Sequence, residues 1–126
     1  HIEFLGFVSP DELVAIRHRA EALVLPTIVY ENCSGSILEA MASGLPCLVT
    51  RVGGNPELIE EGKEGFLVKP GDTEDWTRVL HRFMATPQEV RDAMGRAGRD
   101  KIQARHRWDQ HAMHIVEAYR DAGAKG

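Results

Sequence analysis

No stretch of this chain approaches the ~20 consecutive apolar residues that a membrane-spanning helix needs, and no charged segment followed by an apolar one opens it as a secretory leader would. A soluble chain is expected, with peripheral attachment to a membrane left open for parts of a parent protein outside this sequence. Cysteine is scarce. Cys33 and Cys47 stand fourteen positions apart, which matches neither a CxxC redox motif nor a zinc-ligand cluster, and one pair is too few for a disulfide framework. A reducing, cytoplasmic location is the expectation. There is no basic excess: the net charge is −4 with both signs mixed along the chain, so the electrostatic footprint that holds a nucleic-acid backbone is missing. Neither a Walker motif nor a GxGxxG fingerprint occurs, and there is no internal repeat or low-complexity linker.

What is present suits one globular domain. The chain has 126 residues, 43% of them hydrophobic and 27% charged, long enough to bury a core and too short for two comfortable ones. Short apolar runs alternate with helical patterns. IEFLGF (2 to 7), ALVLP (22 to 26), PCLVT (46 to 50) and GFLV (65 to 68) read as strands, and the third is apolar throughout, as central parallel strands are. Ser9-Pro10-Asp11-Glu12 supplies a cap, a first-turn proline and N-terminal acids for a helix to about Ala20. A helix from Ser34 to Ser43 ends at Gly44, a short one covers PELIEE, and helices near 76 to 84, 87 to 105 and 108 to 122 close the chain. Alternation of this kind predicts an α/β fold, a Rossmann-like parallel sheet with helices on both faces. The last four residues, 123 to 126, read as a frayed tail.

Ligands of such sheets bind beyond the carboxyl ends of the strands. The loop 27 to 33 leaves the end of ALVLP, and the helix after it begins at Ser34-Gly35-Ser36. Free backbone N–H groups, the positive end of the helix dipole and small side chains suit that start to a diphosphate. Glu31 sits just before it. Glu39 lies eight positions further on, among Ile37, Leu38, Ala40 and Met41, where an apolar helix seldom keeps an unpaired carboxylate. Its two acceptor oxygens suit a vicinal diol such as ribose, so a carboxylate on each side of a helix-bound diphosphate describes a nucleotide-sugar site.

The segment ENCSGSILEAMASGLP resembles the E-x7-E segment of retaining glycosyltransferases of the GT-B fold, family 4 (glycosyl transferases group 1). FLGFVSPDELVAIRHRAEALVLPT, VGGNPELIEEGKEGFLVKPGD and RWDQHAMHIVEAYRDA are similar to the flanking segments of these enzymes, so the resemblance spans most of the chain. It implies that residues 1 to 122 are an incomplete C-terminal, donor-binding domain. Glu31 would be the catalytic carboxylate at the hexose, Glu39 would bind the ribose, and the amides near Asn32, Cys33, Ser34, Gly35 and Ser36 would hold sugar and diphosphate. The implied partner is a UDP- or GDP-sugar, transferred with retention and without metal or other cofactor to an acceptor held elsewhere. Many relatives carry Gly-Phe-Gly-like residues where this chain has Asn32-Cys33-Ser34, so the sugar preference does not carry over. The family's basic pair and acceptor domain would lie upstream of His1, which leaves IEFLGF an orphan strand, third in an order resembling 3-2-1-4-5-6.

Other readings stand beside these. A nucleotide-sugar 2-epimerase of the same architecture and a non-catalytic flavodoxin-like binding domain are the alternatives. Cys33 and Cys47 read as small buried hydrophobes. His111 and His114, at helical spacing but without the glutamate of HExxH, read as solvated or packing residues. Gly53-Gly54 reads as a turn, with a backbone lining of the donor crevice as the alternative, Trp76, Trp108 and Tyr119 as helix-packing anchors, and Arg51 as the only nearby cation at a strand's carboxyl end.

Overall fold

The computed structural model describes residues 1–123, with the side chain of Trp108 excepted. The elements are, in chain order, α1 (Pro10–Arg17), β1 (Leu23–Leu25), α2 (Gly35–Ala42), β2 (Cys47–Thr50), α3 (Asn55–Leu58), β3 (Gly65–Val68), α4 (Thr73–Ala85), α5 (Gln88–Arg105) and α6 (Trp108–Gly123). The three strands form one parallel sheet in the order β1-β2-β3, with Val24 opposite Leu48 and Leu48 opposite Phe66. Parallel neighbours require crossovers, and α2 and α3 supply them.

Side chains along a strand alternate between faces, and the two cores follow from that. Cys47, Val49 and Leu67 point to one face, where Ile37, Ala40 and Met41 of α2 and Leu58 and Ile59 meet them. Leu48, Phe66 and Val68 point to the other, against Val79 and Phe83 of α4 and Met94 of α5. Helices therefore cover both faces. The first core takes in Ile102 and the second Met94, so α5 reaches from one core to the other. Trp76 packs on the second core, as read from the sequence; Tyr119 is 77% exposed and belongs to neither core, and the Trp108 side chain, also read as an anchor, lies outside the described residues.

Local chemistry sets the helix ends. Ser9 caps α1 in a reciprocal arrangement with Glu12, whose carboxylate accepts the Ser9 hydroxyl at 2.6 Å and the Ser9 N–H at 3.0 Å; the hydroxyl first, then the N–H, lowers the Glu12 pKa. Asp72 caps α4 by accepting the Asp75 N–H at 3.0 Å. At the end of α2, Leu45 N–H reaches the Ala40 carbonyl and Gly44 N–H that of Met41, both at 2.9 Å. This paired closure turns the chain at Gly44, whose φ of +79° suits glycine, and sends it straight into β2.

The strand expected at 2 to 6 is absent. Residues 2 to 7 form no ladder, and Ile2, Phe4 and Phe7 are 80%, 95% and 96% exposed. The physical reason is hydrogen-bond accounting: an extended segment becomes a strand only when a neighbour takes its N–H and C=O groups. The nearest strand, β1, pairs only with β2. Two further boundaries moved. The segment PELIEE is helical only through Leu58, since Ile59 is already extended and Glu61 bridges to Gly65. Of the tail read at 123 to 126, Gly123 is the last residue of α6, and 124 to 126 lie outside the described residues.

Candidate functional site

The loop between β1 and α2 is held by its backbone and leaves its side chains outward. Thr50, at the end of β2 and fully buried, donates its hydroxyl to the Thr27 carbonyl, and Thr27 Oγ1 accepts the Val29 N–H at 3.1 Å. Asn55 Nδ2 in turn donates to the Thr50 carbonyl at 3.0 Å. Further along, the Gly54 N–H donates to the Glu31 carbonyl at 2.8 Å. Glu31, Asn32 and Cys33 are consequently exposed beyond the carboxyl end of β1, where ligands of this fold class bind.

Ser34 stands at the N-cap of α2 with its side chain buried and making no capping bond. The first amides of α2 thus carry no side-chain cap, and their orphan N–H groups and dipole end suit an anion. Gly35 leaves open space at this start, since a Cβ there would meet nothing within 4 Å. One and a half turns on, Glu39 projects from the exposed side of α2 and pairs with Arg17 of α1, whose side chain is 16% exposed against 58% for Glu39. The carboxylate that looked unpaired in the sequence is therefore steered by a cation 22 positions earlier, and it keeps more than half of its surface for a ligand.

Two cavities flank the helix start. One of about 540 Å³ is lined by Cys33, Gly35, Leu38 and Glu39 together with Arg105, His106, Arg107, His111 and His114. A second, of about 290 Å³, is lined by Asn32, Cys33, Gly54 and Glu57 with Lys101, Arg105 and His106. The structure thus brings Cys33, Gly35 and Glu39 together, and joins Asn32 to Cys33 next door. Glu31, Ser34 and Ser36 line neither of these two cavities.

The cations at the start of α2 come from the end of α5. Arg51 is exposed and lines neither cavity, whereas the end of α5 delivers Arg105, His106 and Arg107 to the start of α2. Antiparallel packing explains this: Gly95 lies against Gly44, Gly98 against Met41, and Ile102 on the same core. The basic run 105 to 107 was visible in the sequence; its destination was not. His111 and His114 are exposed residues that face the larger cavity. Glu64 is another residue missed. It is 1% exposed, accepts the Glu60 N–H at 2.8 Å and lies 3.6 Å from the Nζ of Lys101, which lines the second cavity.

The cysteines divide. Cys47 is buried in β2, and burial first, then the nearby Glu64 charge, pushes its thiol up to about 12. Cys33, read from the sequence as buried, is exposed because it lies in the loop and not in the helix. At pH 8 a small thiol reagent is expected to modify Cys33 in the native protein and to reach Cys47 only after unfolding, since the thiolate is the reacting form. Counting modified thiols by mass spectrometry checks this, and rapid native labelling of Cys47 would contradict the buried placement.

The family model for glycosyl transferases group 1 matches residues 1–101. The chain belongs to that family. A sulfoquinovosyl transferase of Arabidopsis thaliana is 38% identical over 103 residues, which cover 79% of this chain and 20% of that protein. Sucrose-phosphate synthase from Thermosynechococcus elongatus superposes with a TM-score of 0.87 at 27% identity, over 98% of this chain and 31% of that one. Anabaena HepE, solved in complex with UDP-glucose, superposes with a TM-score of 0.84 at 21% identity, over 94% of this chain and 32% of the other, which shows a shared fold. The chain thus spans between a fifth and a third of the length of these three proteins. The fold is that of the C-terminal domain of GT-B enzymes. Among the described residues no helix is long and apolar enough to cross a membrane.

Proposed function

We propose that this chain is the donor-binding part of a retaining glycosyltransferase that transfers a hexose from a UDP- or GDP-sugar. The observation that carries the reading is the junction of the β1–α2 loop with the start of α2. There Glu31 stands exposed on a loop whose backbone is pinned to the next turn, Gly35 leaves the helix start open, and Glu39 lines the adjoining cavity. A cavity of about 540 Å³ lies in the range of small-molecule sites. That a protein of the same fold holds UDP-glucose supports the same donor class.

In this reading the uncapped amides at Ser34, Gly35 and Ser36 take the diphosphate, and Asn32 and Cys33 present backbone to the sugar. Glu39 accepts two hydrogen bonds from the ribose hydroxyls. Glu31 faces the hexose, where a carboxylate stabilises positive charge as the bond to the diphosphate breaks. The acceptor oxygen attacks on the face that the diphosphate leaves, which retains the configuration. Neutralisation of the leaving diphosphate by amides and side-chain cations needs no metal. The acceptor, a sugar, lipid or small molecule, is held outside this chain.

Gly35→Glu tests the reading. An acidic side chain in the open space at the start of α2 repels a phosphate and disturbs no packing. Calorimetry with UDP-glucose and GDP-mannose in the complete protein is expected to show a loss of affinity on the order of tenfold or more, as for a lost charged hydrogen bond, with melting unchanged. Affinity equal to that of the wild type would remove the phosphate role.

A further inference from the structure

Two glycines of the β2–α3 turn touch the donor loop more closely than any other residue could. A Cβ on Gly53 would stand 2.3 Å from the Glu31 carbonyl oxygen and 2.9 Å from the Glu31 nitrogen. A Cβ on Gly54 would stand 1.9 Å from the Asn32 carbonyl oxygen. Those atoms are backbone and have no rotamer with which to yield. Gly53 also has a φ of +53°, and Gly54, which is buried, donates its N–H to the Glu31 carbonyl at 2.8 Å. The turn is itself fixed from behind: Asn55, 2% exposed, bonds the Thr50 carbonyl, and Gly54 lines the smaller cavity beside Asn32.

We propose that the Gly53-Gly54 turn is a positioning element that sets the backbone of Glu31 and Asn32, and through it the height of the Glu31 carboxylate over the sugar side of the donor. The proposal deepens the functional reading above and rests on it for the donor. A turn that merely reverses the chain needs one glycine of positive φ. Here both positions are closed to a side chain by the same neighbouring loop, and a hydrogen bond joins the two. Displacing the Glu31 backbone by the length of one methyl group moves the carboxylate by about 1 Å or more, and misplacements of that size cost on the order of 100-fold in rate.

Gly53→Ala and Gly62→Ala make the test, since Gly62 has a φ of +81° but a Cβ there meets nothing within 4 Å. Both variants carry the same left-handed strain and only one meets the donor loop. In the complete protein, Gly53→Ala is expected to shift the Glu31 and Asn32 amide resonances and to cut kcat by on the order of 100-fold with the donor KM nearly unchanged. Gly62→Ala is expected to change neither, and general destabilisation would lower the amount of folded enzyme while leaving kcat per folded molecule unchanged. Gly53→Ala with unmoved Glu31 and Asn32 amides and an unchanged kcat overturns the proposal. If Gly53→Ala does not fold, hydrogen exchange of the Gly54 N–H in the wild type decides: slow exchange, slowed further by UDP-glucose, supports the clamp, and exchange at the free-peptide rate overturns it. A wild type that binds no nucleotide would sink the functional reading, while the amide shifts would still judge the clamp.

Discussion

Glu31→Gln in the complete protein is expected to lower kcat by on the order of 10- to 100-fold with little change in the donor KM, and Glu39→Gln to raise KM by a similar factor with kcat nearly intact. The size follows from the ~1.5 to 3 kcal/mol of a charged hydrogen bond. The split follows from where each carboxylate stands. Ribose does not change during transfer, so a group bound to it serves ground and transition states alike and its loss is felt in binding. The sugar develops positive charge only in the transition state, so a group beside it acts on the chemical step. Arg17 gives an internal control. It pairs with Glu39, and Arg17→Ala frees that carboxylate without removing it, so a rise in KM smaller than that of Glu39→Gln is expected. Steady-state assays over a range of donor concentration check all three. Loss of kcat in Glu39→Gln alone, with Glu31→Gln behaving as wild type, would reverse the two roles.

Gly95→Ala is the second large effect, and it falls on stability. Alanine normally improves a helix interior by about 0.5–1 kcal/mol over glycine. At position 95 the added Cβ would lie 2.0 Å from the Gly44 carbonyl oxygen, within the closure that turns α2 into β2. The turn cannot yield without loosening Leu45 and Cys47, 7% and 0% exposed, so α5 must move off α2. Overpacking of this kind costs about 1–3 kcal/mol. Gly98→Ala is the contrast, because its Cβ would touch Met41 Cγ at an ordinary 3.4 Å, and the helix gain is expected to survive. Urea unfolding of the two variants should move the midpoint in opposite directions. A shared direction would mean that the α2–α5 contact is not the tight one.

The contrast between these glycines also shows what the sequence made legible. β1, β2 and β3 were readable because β2 and β3 are buried throughout, and β1 half-buried at Leu23 and Leu25, against helices whose own periodicity was clear. IEFLGF carried the same apolar signal and failed, since strand formation depends on a partner and composition says nothing about one. Glu31, Asn32, Cys33, Gly35 and Glu39 lie on one loop and the helix after it, a location legible in the sequence because they fall within nine consecutive positions of a single βα unit. The pairing of Arg17 with Glu39, the arrival of Arg105 at the start of α2, and the contact of Gly53 with Glu31 are separated by 22, 70 and 22 positions. Each is decided by how α1, α5 and the β2–α3 turn pack on the sheet. Cys33 was misread for a related reason: a small thiol beside an apolar helix suggests burial, and only the pinned loop turns it outward.

The central claim is that a nucleotide-sugar lies across Glu31, the start of α2 and Glu39. Titration of the isotopically labelled protein with UDP-glucose, followed by amide resonances, tests it most directly. The account predicts that the largest shifts fall on residues 31 to 39 and on Gly53 and Gly54, with UDP alone reproducing those at 34 to 39 and leaving Glu31 and Asn32 nearly unmoved. Saturating donor that shifts the exposed face of α6 at Met113 and Val116, and leaves 31 to 39 in place, would contradict it.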